Sequence, residues 1–233
     1  MMYKTEMHVH SAEVSACGKV DCATIARRYI AAGYTTLVLT NHLSRFTYKN
    51  KKFDRSSDPW EAKIDFYTAG YRKFIEAAAG RLNVLLGVEL RSNRDENDYL
   101  IYGVDEEFLY SMPEIMDMKV AEVAEAVRGY GGLFFQAHPF RNHMRIVNPE
   151  ILDGIEVYNG HIGQESRNDI AELWADKFGL LKISGSDYHH DTSVIGAGIL
   201  TAEPVTSPAQ LVDILKSGRY ELIRSGAVPY TSC

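Results

Sequence analysis

Cysteine is scarce in this 233-residue chain: Cys17, Cys22 and Cys233 are its only three. An odd number of thiols without paired metal-type spacing gives no disulfide framework. Long apolar runs are also missing, and none approaches the roughly 20 residues of a membrane span. Met1-Met2-Tyr3-Lys4-Thr5-Glu6 lacks the apolar core of a signal peptide, so the expected compartment is the cytoplasm. Positive charge is not in excess either, with 25 basic against 31 acidic residues and a formal charge of −6. That balance argues against broad binding of long nucleic acid. A local basic patch stays open at Arg45 to Arg55, where Lys49, Lys51 and Lys52 stand among aromatics. It reads first as a solvated loop and second as a lid. No repeat, low-complexity stretch or Pro/Gly/Ser linker divides the chain, so one domain over residues 1–233 is expected. Nothing in the sequence fixes an oligomeric state.

What is present is an ordinary globular composition, 45% hydrophobic and 24% charged, long enough to bury a sizeable core. Short apolar runs alternate with helix-length amphipathic ones, the signature of an α/β fold. Strands are predicted near Lys4–Val9, Thr36–Thr40, Asn83–Glu89, Tyr99–Gly103, Leu133–Gln136, Gly154–Val157 and Leu180–Ser184. Helices are predicted from a cap at Asp21 to Gly33, from Pro59 to about Gly80, and along the Val120, Val123, Val127 stripe to Gly129. Two more run from Ile162 to Phe178, closed by Gly179, and onward from Ser207-Pro208, before an apolar tail at Leu222-Ile223. Seven strands with intervening helices suggest a TIM-like barrel short by one unit, with an open doubly wound sheet as the alternative.

The chemistry-bearing residues follow these strands. His8 and His10 stand two apart, so on a strand both imidazoles share one face and can reach one ion. His42 comes after the second strand, and Glu89 closes the third, an apolar run with no other use for a charge. His138 and then Pro139 follow the fifth, and Asp187 and His189 repeat the spacing of two after Ser184-Gly185-Ser186. Imidazoles and carboxylates suit borderline and hard divalent cations. Such a set at successive strand ends converges easily in a barrel and poorly in an open sheet. It points to a multinuclear metal centre, most often used for hydrolysis.

The order His-x-His, Thr-Asn-His, Gly-Val-Glu, Ala-His-Pro, Gly-Ser-Asp-Tyr-His resembles the PHP (polymerase and histidinol phosphatase) family from His8 to about Gly198. The resemblance implies a distorted seven-stranded (β/α)7 TIM-like barrel with two or three divalent ions, usually manganese, iron or zinc, and phosphoester hydrolysis. It places His8, His10, Glu89 and Asp187 on one ion, His42 and His189 on a second, and Glu89 and His138 on a third. The chain departs from the family in three places. Glu13 is the one acid where many members carry an aspartate or histidine ligand to the second ion. Asp98 stands where a histidine is common at the start of the fourth strand, and Asn41 replaces the aspartate common before His42. Glu13 and Asp98 are therefore candidate ligands, and Asn41 is expected to alter a contact behind a ligand.

On the substrate side, Arg141 is placed to lean over the metals and neutralise phosphoryl oxygens, with Arg91 and then His161 as weaker candidates. Asn159 is expected to point at substrate, while Val14, Cys17, Tyr158 and Tyr188 could shape the pocket. The expected activity is a metal-dependent phosphoesterase acting on a small phosphate ester such as a histidinol, nucleotide or sugar phosphate. A hydroxide bridging two ions would attack phosphorus, and Asp187 or that water would handle the proton. Two other readings are kept. An amidohydrolase also opens with His-x-His, though it usually carries a bridging lysine after the fourth strand. A non-catalytic metal-binding protein is suggested by the departures at Glu13, Asp98 and Asn41.

Overall fold

The computed structural model describes residues 2–50 and 53–224. Lys51, Lys52 and Cys233 lie outside the described residues, so the basic stretch is seen only in part. Each predicted strand forms: β1 (Tyr3–Val9), β2 (Tyr34–Leu39), then a short β3 (His42–Leu43). The run at 83–89 is broken at Gly87 into β4 (Asn83–Leu86) and β5 (Val88–Arg91). After these come β6 (Asp98–Tyr102), β7 (Leu133–Gln136), β8 (Gly154–Asn159) and β9 (Leu181–Gly185). Two further strands, β10 (Ala197–Thr201) and β11 (Glu221–Arg224), extend the set; the second carries the apolar tail. The five-residue run of β10 sits between the turn-rich segments 189–196 and 202–207, which hid it among turn signals.

The expected single barrel is divided by its hydrogen bonding into two sheets, ordered β11-β10-β1-β2-β4 and β3-β5-β6-β7-β8-β9. They meet along two seams. One is the β4–β5 break, where Gly87 N–H donates to Leu39 O at 2.9 Å and Glu89 N–H to Asn41 O at 3.2 Å. The other is an isolated parallel bridge between Val9 and Tyr188, with His10 N–H donating to Tyr188 O at 3.0 Å. The sheets are mixed. β6 runs antiparallel to both β5 and β7, and β10 antiparallel to β1. The reversal of β6 brings its first residue, Asp98, to the end where the parallel strands finish, and pairs it with Arg91 across β5.

Among the described residues, five helices of ten residues or more cover the sheets. In α1 (Cys22–Ala31) the Asp21 carboxylate accepts from Thr24 N–H, the cap that the sequence suggested. α3 (Trp60–Ala78) follows a one-turn α2 (Arg45–Tyr48) and packs with α1: Ile25, Tyr29, Phe74 and Ala78 meet Leu37, Leu39 and Val84 of the first sheet. After a short α4 (Glu106–Tyr110), α5 (Val120–Gly129) and α6 (Asn168–Phe178) place Val123, Val127, Ala171 and Ala175 against Phe134 and Ile155. α7 (Pro208–Ser217) sets Leu211 and Leu215 on Met7, Phe135 and Ile183. Each wholly buried aliphatic side chain here contributes roughly 1.5–3 kcal/mol. α6 begins at Asn168, not at the expected Ile162. The Asn168 side chain instead accepts from Asn159 N–H at 3.0 Å, and residues 160–167 are held as a loop over the strand ends.

Candidate metal centre

The side chains from the strand ends converge. His8, His10, Glu89, Asp98, His138 and Asp187 are each 2% exposed or less. Glu89 is the hub: its Oε1 lies 3.3 Å from His8 Nε2 and 3.2 Å from His138 Nε2. Its Oε2 lies 3.1 Å from His10 Nε2 and 3.0 Å from His42 Nδ1. Asp187 Oδ1 stands 3.4 Å from the Nε2 atoms of His8 and His10, and 3.2 Å from His189 Nδ1.

Several of these contacts are not good hydrogen bonds. Two imidazole nitrogens, His8 Nε2 and His10 Nε2, face each other at 3.1 Å. Glu89 Oε2, His42 Nδ1 and His138 Nδ1 are buried without a hydrogen-bond partner. Orphaned buried polar atoms are costly, and so many around one carboxylate call for a cation. Donor atoms about 2.1 Å from a common ion, at angles of roughly 90–110°, stand roughly 3.0–3.4 Å apart. The contacts among His8, His10, Glu89 and Asp187 fall in that range. The donor set thus fits divalent ions. His8, His10 and Asp187 form one group within mutual reach, His42, Glu89 and Asp98 a second, and His10, Cys17, His42 and His189 a third.

Charge follows the same pattern. Burial alone would raise Glu89, but His42 and His8, with His10 and His138, hold its carboxyl well below the ordinary value. Burial pushes His42 down to about 3, which keeps a lone pair on the ring. Asp187 is also held well below its usual range, with His8, Arg141 and His189 outweighing burial. Asp98 is raised by burial and by Glu89 despite its Arg91 partner. His138 and Asp187 both have positive φ, 29° and 48°, conformations a non-glycine residue holds only where its surroundings enforce them.

A layer behind the cluster fixes its orientation. Glu156 Oε1 takes His8 Nδ1 at 2.9 Å, which turns Nε2 into the cluster, and its Oε2 accepts from His138 N–H at 3.0 Å. Gly185 allows this: a Cβ there would come 2.4 Å from His8 Cβ and 2.5 Å from Glu156 Oε1. The small residues before Asp187 therefore make room for His8 and Glu156. Asn41 accepts from Ser11 N–H at 2.8 Å and Ser15 Oγ at 3.0 Å; that hydroxyl lies 3.4 Å from His10 Nδ1.

The remaining sequence candidates separate. Arg141 is at the mouth, with Nη2 donating to Asp187 Oδ2 and Asn159 Oδ1, both at 2.8 Å, while its Nε is buried and unpartnered. Asn159 is buried and turned inward: its amide donates to Glu156 at 2.9 Å and Asp187 at 3.2 Å, and its oxygen accepts from Arg141. It does not face substrate as expected, because these partners use both ends of its amide. Arg91 is clamped on Asp98 by two bonds of 2.6 and 2.5 Å at the rim. Asp98 Oδ2 lies 3.9 Å from His138 Nε2. Glu13 is not brought to the cluster: it accepts from Cys22 N–H at 3.1 Å and faces Lys73 at 3.4 Å. Cys17 lines the cavity over the cluster. Sequence reasoning gave Cys17 no ligand role and Glu156 no role at all. Glu156 carried the signal used for Glu89, an acid inside an apolar strand.

The cluster floors a cavity of about 450 Å³ lined also by Lys19, His161, Gln164 and His190. A second, of about 480 Å³, adjoins it through Arg91, Asp98, Arg141 and Gln164 and is walled by Arg45 and Phe46.

No protein-family model matches the chain, and no curated protein matches it significantly. Solved structures do. A two-domain protein from Bacteroides vulgatus containing a predicted PHP-like metal-dependent phosphoesterase aligns over 95% of this chain and 64% of its own, with 16% identity and a TM-score of 0.66. The chain thus spans under two thirds of that protein. A lesion-specific endonuclease from Pyrococcus furiosus aligns over 95% of this chain and 58% of its own, with 13% identity and a TM-score of 0.64. An amidohydrolase from Chromobacterium violaceum, holding sulfate and no metal, aligns over 94% and 97%, with 18% identity and a TM-score of 0.58. The chain shares its fold with these proteins, one of which contains a predicted PHP-like metal-dependent phosphoesterase, and the sequence's motif series resembles that family.

Proposed function

We propose that the protein is a metal-dependent phosphoesterase of small phosphate esters, with two or three divalent ions at the strand ends. The observation that carries this reading is Glu89, wholly buried and met by four imidazoles at 3.0–3.3 Å. His8, His10, Glu89, His42, His138, Asp98, Asp187 and His189 would hold the ions. Manganese, iron and zinc are the candidates by donor chemistry. Bound there, such ions supply Lewis acidity and an activated water.

The chain's own groups do the rest. Arg141 is fixed by Asp187 and Asn159 and lines both cavities, which puts its guanidinium charge where it can meet a phosphoryl oxygen as charge builds there. Asp187, kept ionised against burial by His8, Arg141 and His189, anchors Arg141 beside the reacting centre, its geometry set by Arg141, Asn159 and His189. The adjoining cavity has room for a leaving group. A small ester is favoured by the limited volume of these cavities and by the acidic balance of the chain. The two seams between the sheets support reading them as one distorted seven-stranded barrel. No helix among the described residues is long and apolar enough to cross a membrane, and the unpaired thiols Cys17 and Cys22 suit a cytoplasmic setting.

The test is release of phosphate and p-nitrophenol from an ester panel by metal-stripped protein with manganese, iron(II), zinc or magnesium added back. Metal-restored turnover that vanishes in His10→Ala, with the fold retained, is expected. Turnover of amides or lactones alone would move the protein to the amidohydrolase reading. Stoichiometric metal without any turnover would leave a binding protein. Tight, salt-sensitive binding of DNA would replace the small ester by nucleic acid.

A further inference from the structure

The loop after β1 carries a thiol to the centre and turns its one acid away. Ala12 N–H donates to Val20 O at 2.9 Å and Lys19 N–H to His189 O at 2.8 Å, closing the loop over the β9 end. Ser15 and Ser11 are tied to Asn41, and Ser15 Oγ accepts from His42 N–H at 3.1 Å. Gly18 lies flat on Ser11, where a Cβ would stand 2.7 Å from its carbonyl oxygen. Cys17 is held between these anchors, and its Sγ comes within 4.8 Å of donor atoms of His10, His42 and His189. His189 Nδ1–H donates to Asp187 O at 2.8 Å, so Nε2 is the ring's free lone pair. His42 Nδ1 is buried without a hydrogen-bond partner.

We propose that Cys17 is a thiolate ligand, with His42 and His189, of a zinc-type site at one side of the centre, beside the ion that His10 would hold. The opposite side, with Glu89 and Asp98, is oxygen-rich. Thiolate and imidazole select zinc over manganese or magnesium, whereas carboxylates favour the harder ions. The centre is therefore chemically asymmetric. This rests on the metal-centre reading above and adds a ligand that the family resemblance did not supply.

Cobalt(II) is the probe, added to the metal-stripped full chain carrying Cys22→Ser and Cys233→Ser. The expected result is an intense near-ultraviolet thiolate-to-cobalt charge-transfer band. Zinc should protect the one remaining thiol from a thiol reagent. Cys17→Ser should abolish the band and weaken zinc binding by more than the about 10–100-fold that an outer-layer partner costs. Cys17→Asp should restore binding with a preference shifted toward manganese. Cobalt bound at full stoichiometry without the band, or a band that survives Cys17→Ser, overturns the thiolate ligand and leaves the metal centre standing. Failure of the chain to bind cobalt at all overturns both. Unchanged far-ultraviolet circular dichroism in Cys17→Ser separates ligand loss from misfolding.

Discussion

Glu6 in β1 and Glu89 in β5 are both wholly buried acids in apolar strands, and their surroundings differ in kind. Glu6 Oε1 accepts from the backbone N–H groups of Met7, His8 and Ser186 at 2.9–3.1 Å, and Oε2 from Tyr29 OH at 3.0 Å. Every lone pair it needs to satisfy has a protein donor. Glu89 is faced by imidazoles, and its Oε2 has no hydrogen-bond partner. The first pins β1 to the loop after β9 and is structural. The second is complete only with cations. The lesson is that a buried carboxylate is classified by its donors rather than by its burial.

The largest effect that breaks this comparison is expected at Glu89. Glu89→Gln keeps volume but removes the charge that links His8, His10, His42 and His138. Metal content and phosphoester turnover should fall to background, and the rise in melting temperature on adding metal should disappear. Retained metal-dependent stabilisation in Glu89→Gln would show that the hub carboxylate holds no ion.

Glu6→Gln should leave metal loading intact and change stability with pH instead. Burial pushes the Glu6 carboxyl from 4.5 up to about 7, against hydrogen bonds from Ser186, His8 and Tyr29 that favour its charged form. The folded state then binds this proton more tightly than the unfolded chain does. Its contribution is fully present below about pH 4.5 and is lost as pH rises through about 7. The difference is on the order of 3 kcal/mol across that window. Denaturant titrations of wild type and Glu6→Gln should diverge in slope between those pH values, with the variant flatter. Parallel curves would show that the four donors keep Glu6 charged throughout.

These contrasts also mark how far the sequence could be read. Strand periodicity located β1, β2 and β6 to β9 because their apolar runs are bounded by turn residues. Regularly spaced strand-end residues, such as His8 with His10 and Asp187 with His189, showed where donors would gather. The reversal of β6 was not legible, since an antiparallel strand has the same composition as a parallel one; yet that reversal is what brings Asp98 to the site. Cys17 was hidden for a related reason. Its partners His42 and His189 come from β3 and the segment after β9, so no local spacing announces them. Asn159 was misread because chain position gives the end of a strand but not which neighbours its amide will meet.

The smallest effect sharpens the contrast within the loop after β1. Glu13 and Cys17 lie four positions apart, and the structure sends the thiol inward and the carboxylate toward Cys22 and Lys73. Lys73 is 64% exposed, so its ion pair with Glu13 is largely screened. Glu13→Gln can keep Oε1 as the acceptor for Cys22 N–H. Its stability should stay within about 0.5 kcal/mol of wild type, as for most substitutions away from a core or a site. Metal content, measured by elemental analysis after dialysis, should be unchanged, in contrast to Cys17→Ser. An ion lost from Glu13→Gln and retained in Cys17→Ser would reverse the two roles, and would require the loop to present its acid to the metals in solution.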